Sequence, residues 1–129
     1  MYKEAVICVI TVIAIIILNI LTGNYTKESV SELSSELYKL REELSEENIE
    51  DEEIQKKADY IYDKWNKRYN VLAYYLEHDE LEKVGNSIIS LRSAINTNEY
   101  PEAISELDES VFVLKHIQEK NSFDMKNIF

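Results

Sequence analysis

Hydrophobic and polar positions fall into two regimes along this chain. From residue 5 to residue 21 no position is charged, and twelve of the seventeen are Ile, Leu or Val; the others are Ala5, Cys8, Thr11, Ala14 and Asn19. Such a run has no polar face to turn to water, which predicts a helix surrounded by hydrocarbon rather than one side of a soluble domain. On insertion scales its branched residues together contribute about −4 to −7 kcal/mol. Tyr2 and Tyr25 flank it. At 1.5 Å rise per residue they stand roughly 34 Å apart, the spacing of two interfacial aromatics on opposite membrane faces.

Beyond Tyr25 an apolar residue recurs every three or four positions. Gly23-Asn24 reads as the end of the anchor. Val30, Leu33, Leu37, Leu40 and Leu44 then form one seam, predicting a helix over residues 26–45. Ile54, Ala58, Ile61, Tyr62, Trp65, Tyr69, Leu72 and Leu76 form a wider stripe over residues 50–77, with Trp65 as its central packing residue. A third helix, residues 79–96, carries Leu81, Val84, Ile88, Leu91 and Ile95. Asp79 reads as its N-cap with Glu82 as reciprocal partner, and Gly85 inside it suits a close helix–helix approach. Pro101 suits the start of a fourth, residues 101–118, with Ile104, Leu107, Val111, Leu114 and Ile117. Lys115, His116 and Lys120 suit its C-terminal dipole. The tail, residues 121–129, holds Phe123, Met125, Ile128 and Phe129, and is expected to dock on the bundle, on a partner or at the bilayer surface.

Short turns make consecutive helices antiparallel. The predicted fold is all-α: a single N-terminal transmembrane helix within residues 1–25, then an antiparallel four-helix bundle over residues 26–129 with an apolar C-terminal tail. A cleaved signal peptide is the rival reading of the first segment. Cutting after Gly23 would put Leu21 at the position that wants a small residue, so an uncleaved anchor is expected. A short N-terminal tail before a long domain favours a cytoplasmic N-terminus and an extracytoplasmic C-terminal domain at the cell membrane.

Composition narrows the chemistry. The 129 residues hold 14 Lys and Arg against 25 Asp and Glu, a net charge of −11. That charge provides no basic face for phosphates, so no nucleic-acid partner is expected. Two glycines and one cysteine leave no phosphate-cradling loop, disulfide framework or cysteine-based zinc site. The acid-rich stretch 42–53 lacks the alternating ligands and turn glycine of a calcium loop. There is no Gly-flanked serine nucleophile and no Cys–His pairing outside the apolar run. No catalytic residue and no cofactor are expected, and the protein is read as not an enzyme.

One constellation remains. His78 precedes the start of the third helix at Asp79 and His116 lies beside the end of the fourth at Ile117, so antiparallel packing puts them at the same end, crowded by Glu77, Asp79, Glu80 and Glu119. Two imidazoles and a carboxylate are a zinc-type donor set. The plainer reading is two half-exposed histidines bonded to carbonyls or to these acids. The same end, with Phe123, Met125, Ile128 and Phe129, is expected to face the membrane as the contact surface for an integral-membrane partner.

The anchor, the helix bearing Trp65, His78-Asp79-Glu80-Leu81, Leu114-Lys115-His116-Ile117 and the terminal Lys126-Asn127-Ile128-Phe129 resemble the domain-of-unknown-function family 4363, short anchored proteins of spore-forming Gram-positive bacteria. Many members have proline after His-Ile, where this chain has Gln118. The resemblance implies no catalytic residues. It also implies an accessory role beside multi-pass membrane proteins of family 421. The expected function is a membrane-anchored helical interaction protein, an accessory subunit of a multi-pass membrane protein. The alternatives are a self-associating envelope protein, a homodimer through the first seam, or a ligand or metal sensor at the His78/His116 end.

Overall fold

The computed structural model describes residues 1–46 and 50–128, apart from the side chain of Ile128. The expectations for Ile128 and Phe129 therefore lie outside the described side chains. Among the described residues four helices follow one another: α1 Tyr2–Leu44, α2 Asp51–Leu72, α3 His78–Asn96 and α4 Tyr100–Ile128. There is no strand among these residues. Each helix packs on its chain neighbours and α4 closes back on α1, and among the described residues no backbone approaches closely across either diagonal. This is an up-down-up-down ring, as short connections between amphipathic helices favour. The seam of α1 faces inward: Leu33, Leu37 and Leu40 are fully buried in one core with Ile61, Leu81, Ile88, Leu91 and Leu107.

The helix break expected at Gly23-Asn24 does not occur. α1 runs through it for 43 residues, about 64 Å at 1.5 Å per residue. A lone glycine lowers helix stability by up to about 1 kcal/mol but does not end a helix. Here its missing side chain has another use: a Cβ on Gly23 would stand 2.6 Å from Met125 Sδ. Hydroxyls in this stretch are satisfied within the helix. Thr22 Oγ1 donates to the Leu18 carbonyl (2.9 Å), Thr26 Oγ1 to that of Thr22 (2.9 Å) and Ser29 Oγ to that of Tyr25 (2.7 Å).

The other boundaries also shift. α2 ends at Leu72, so Tyr74, Tyr75 and Leu76 belong to the connection. α3 begins at His78, with Glu77 as N-cap and no side-chain cap bond. Asp79 is therefore not the cap; with Glu80 it lies in the first turn, where its charge meets the positive end of the dipole. The α3–α4 turn is a Schellman motif: Glu99 N–H reaches the Ala94 carbonyl (2.8 Å) and Asn98 N–H that of Ile95 (3.1 Å). Asn98 takes the left-handed conformation this requires, φ 58°. The expected tail is helical, because no proline or glycine follows Pro101 and Gln118 leaves the backbone ladder intact. Lys115, His116 and Lys120 thus sit well inside α4 rather than at its end.

Trp65 is buried, 3 % exposed, against Tyr69 with ring centroids 6.0 Å apart. Gly85 lets α3 approach it: a Cβ there would lie 3.2 Å from Trp65 Nε1.

Candidate functional site

Chemistry-bearing side chains gather where the apolar run of α1 enters the bundle. Leu21 is 59 % exposed, whereas Gly23 and Thr26 are buried. The α2–α3 connection and the last turns of α4 both arrive here. Tyr75 places its hydroxyl 2.9 Å from Thr26 Oγ1 and 3.1 Å from the Thr22 carbonyl, to which it donates. Burial pushes the Tyr75 hydroxyl above its ordinary pKa, which keeps it a donor. From α4, Asn121 Nδ2 donates to the Gly23 carbonyl at 3.0 Å.

Beside them Arg68 lies over the Tyr25 ring, 5.0 Å from its centroid. It pairs with Glu32 and stands 3.7 Å from Glu28. Lys64 also pairs with Glu32. Burial lowers the Arg68 pKa, but hydrogen bonds with Glu32 and Tyr25 outweigh it and raise the net value. The hydrogen bond from Lys64, followed by Arg68, holds the Glu32 carboxyl below its ordinary range despite its partial burial. This network locks α2 onto α1, and its charges answer one another.

The two histidines do share this end. His78 is the first residue of α3, and Glu80, two residues on, lies 3.4 Å from His116 Nε2. Lys120 stands 3.1 Å from Glu77 and 4.0 Å from Glu80; the hydrogen bond to Glu77 raises its pKa. The partner of His116 is thus an acid on the neighbouring helix, and its side chain remains 60 % exposed. Among the described residues no three His, Cys, Asp or Glu side chains come together as a metal site.

The tail residues divide. Met125 is half-buried against Gly23 and closes the protein's own bundle, whereas Phe123 is 65 % exposed. An open groove of about 510 Å³ runs between α1 and α4, with Val30, Ser34 and Tyr38 on one wall, Val111, Lys115 and Gln118 on the other, and Phe123 and Lys126 at its end nearest the apolar run. Gln118 Nε2 donates to Ser122 Oγ (3.1 Å), while its Oε1 is buried without a partner among the described residues. Tyr38 and Phe112 stand exposed. An open apolar groove suits a protein surface better than an enclosed small substrate.

The sequence pattern does not single out Asn121 or Tyr75 as contacts of this end. Both are polar residues whose partners are main-chain or hydroxyl groups roughly fifty to a hundred positions away, which periodicity does not register. The sequence model of a family described as "Domain of unknown function (DUF4363)" matches residues 20–128. No curated protein and no solved structure matches the chain.

Proposed function

The chain belongs to the DUF4363 family, and from that premise we propose that it is a membrane-anchored, non-enzymatic interaction protein, the accessory subunit of a multi-pass membrane protein. One observation carries the reading. The most apolar stretch of α1, mean hydropathy 2.9, has none of its residues buried, yet the same unbroken helix becomes a wall of the bundle. A helix apolar all round and uncovered by its own chain wants lipid or other transmembrane helices around it. Because α1 does not break, a shift of that span would be passed to the bundle as a rigid lever.

Retention of the anchor is supported by the same geometry. Cleavage after Gly23 would remove Thr22 and Gly23, the main-chain acceptors that hold Tyr75 and Asn121. On this reading the N-terminus is cytoplasmic and the bundle lies outside. The partner meets the span within the bilayer and the α1–α4 groove above it. Homodimerisation through the α1 seam is less favoured, since Leu33, Leu37 and Leu40 already fill the protein's own core.

Affinity purification of the full chain from native membranes, followed by blue-native electrophoresis, tests this. A heteromeric band that disappears in Tyr38→Asp and Lys115→Glu variants, at unchanged melting temperature, is the expected result. A pure homodimer, or partner binding untouched by both substitutions, would overturn it.

A further inference from the structure

The end of α4 has a position fixed by two contacts. Asn121 bonds the Gly23 carbonyl and Met125 lies against the Gly23 Cα. Gly23 comes two residues after Leu21, the last of the apolar run, which is about 3 Å along the helix axis. Where α1 spans a bilayer, Asn121 and Met125 are therefore level with the edge of the hydrocarbon. α4 runs antiparallel to α1 here, since Asp108 pairs with Arg41 (2.7 Å) far above. Residues after Met125 descend further, by about 4.5 Å to Ile128. On the helix face of the span that leads to Gly23, Ile16, Asn19 and Ile20 are half-buried, while Ile17, Leu18 and Leu21 are exposed.

The outward side of these turns has the character of a headgroup-layer segment. Phe123 is 65 % exposed, and Ser122, Asp124, Lys126 and Asn127 around it are exposed and polar. An aromatic set among polar groups is favoured at the membrane interface and disfavoured in hydrocarbon. Phe112 lies three turns earlier on nearly the same face of α4, about 16 Å higher. It serves as an internal comparison.

We propose that the last two turns of α4 are a second membrane contact, with Phe123 seated in the lipid headgroup layer beside the α1 span. The proposal rests on the anchor reading above. Two attachments at one end hold the bundle upright: the span resists withdrawal, and the α4 end resists tilting about it. The Lys126 ammonium lies at headgroup level, where lipid phosphates supply acceptors. Phe123 and Lys126 form the membrane-side end of the α1–α4 groove, and lipid rather than the partner occupies that end because its depth beside the span puts it at the headgroups.

The test uses the full chain in vesicles of mixed phosphatidylcholine and phosphatidylglycerol, with lipids spin-labelled either at the headgroup or deep in the acyl chain. Tryptophan is introduced singly by Phe123→Trp, Phe112→Trp and Ile13→Trp; buried Trp65 supplies a constant background measured on the unsubstituted chain. Emission added by Phe123→Trp should fall at least twofold with the headgroup quencher and shift to the blue. Emission from Phe112→Trp should be unaffected, and that from Ile13→Trp should fall with the deep quencher. If Ile13→Trp is quenched and Phe123→Trp behaves like Phe112→Trp, the α4 contact is refuted and the anchor stands. If Ile13→Trp is also unquenched, the anchor reading fails and the proposal with it. An unquenched Phe123→Trp whose emission shifts to the blue only in the complex purified from native membranes would assign the residue to a protein partner and refute lipid contact.

Discussion

Trp65 and Gly85 form a matched pair: the indole fills the space that the missing Cβ leaves. Trp65→Ala should lower unfolding stability by about 3–5 kcal/mol, a large share of a small domain's total, measured by urea denaturation. Both residues are legible in the chain, because a wide stripe marks a helix with more than one neighbour and an interior glycine marks close approach. Glu32 is not, since its partners Lys64 and Arg68 lie on the next helix and charge pairing across helices has no period. Its carboxyl is held below the ordinary value of 4.5 in the fold. The stability it contributes is complete above that value and is lost as pH falls from there through the lower folded pKa. Glu32→Gln should cost about 1–2 kcal/mol at neutral pH by leaving half-buried Arg68 without its main partner. It should also flatten the loss of stability below that pH. Glu106 behaves oppositely: burial, with Glu109 and Glu102 nearby, raises its pKa. Its charge therefore opposes folding at neutral pH and ceases to do so as pH falls. Glu106→Gln should raise the urea midpoint at neutral pH and leave it unchanged in acid.

Among the elements, α1 and α4 depart furthest from the pattern. Their seams mark them as helices, but their lengths are hidden. Gly23-Asn24 reads as punctuation because glycine ends many helices. At this glycine the helix instead continues beneath Met125, about a hundred residues away in the chain, and no local signal carries that contact. The last turns of α4 read as a tail because the apolar residues there lose the regular seam; their helicity follows from uninterrupted backbone bonding and from docking on α1. The two departures share one cause, since each makes the other possible. Gly23→Leu should force Met125 and Asn121 off α1. Hydrogen exchange should then accelerate over residues 119–127. It should remain unchanged in α3 around Leu81, Val84 and Ile88, which are fully buried in the core and provide a comparison within one protein.

At the scale of the whole molecule, the ring of four helices is legible because each short connection forces an antiparallel return. The shared end of His78 and His116 follows from it. The character of that end is not legible. Two imidazoles among acids suggest a zinc-type donor set, but neighbouring acids, His116 and Lys120 satisfy each other across the α3–α4 seam. The open groove between the first and last helices is also hidden, because its two walls are the elements furthest apart in the chain. What dominates the molecule is its asymmetry: a closed bundle at one end of α1 and a bare apolar helix at the other. The central claim is that this helix stays attached and crosses the membrane with the bundle outside. The most direct measurement is the intact mass of the chain extracted from purified membranes, before and after protease is added to intact protoplasts. The expected result is a chain that still begins at its own N-terminus before treatment, and afterwards a protected fragment limited to the α1 span. A mature chain beginning near Asn24, or a bundle untouched by external protease, would contradict it.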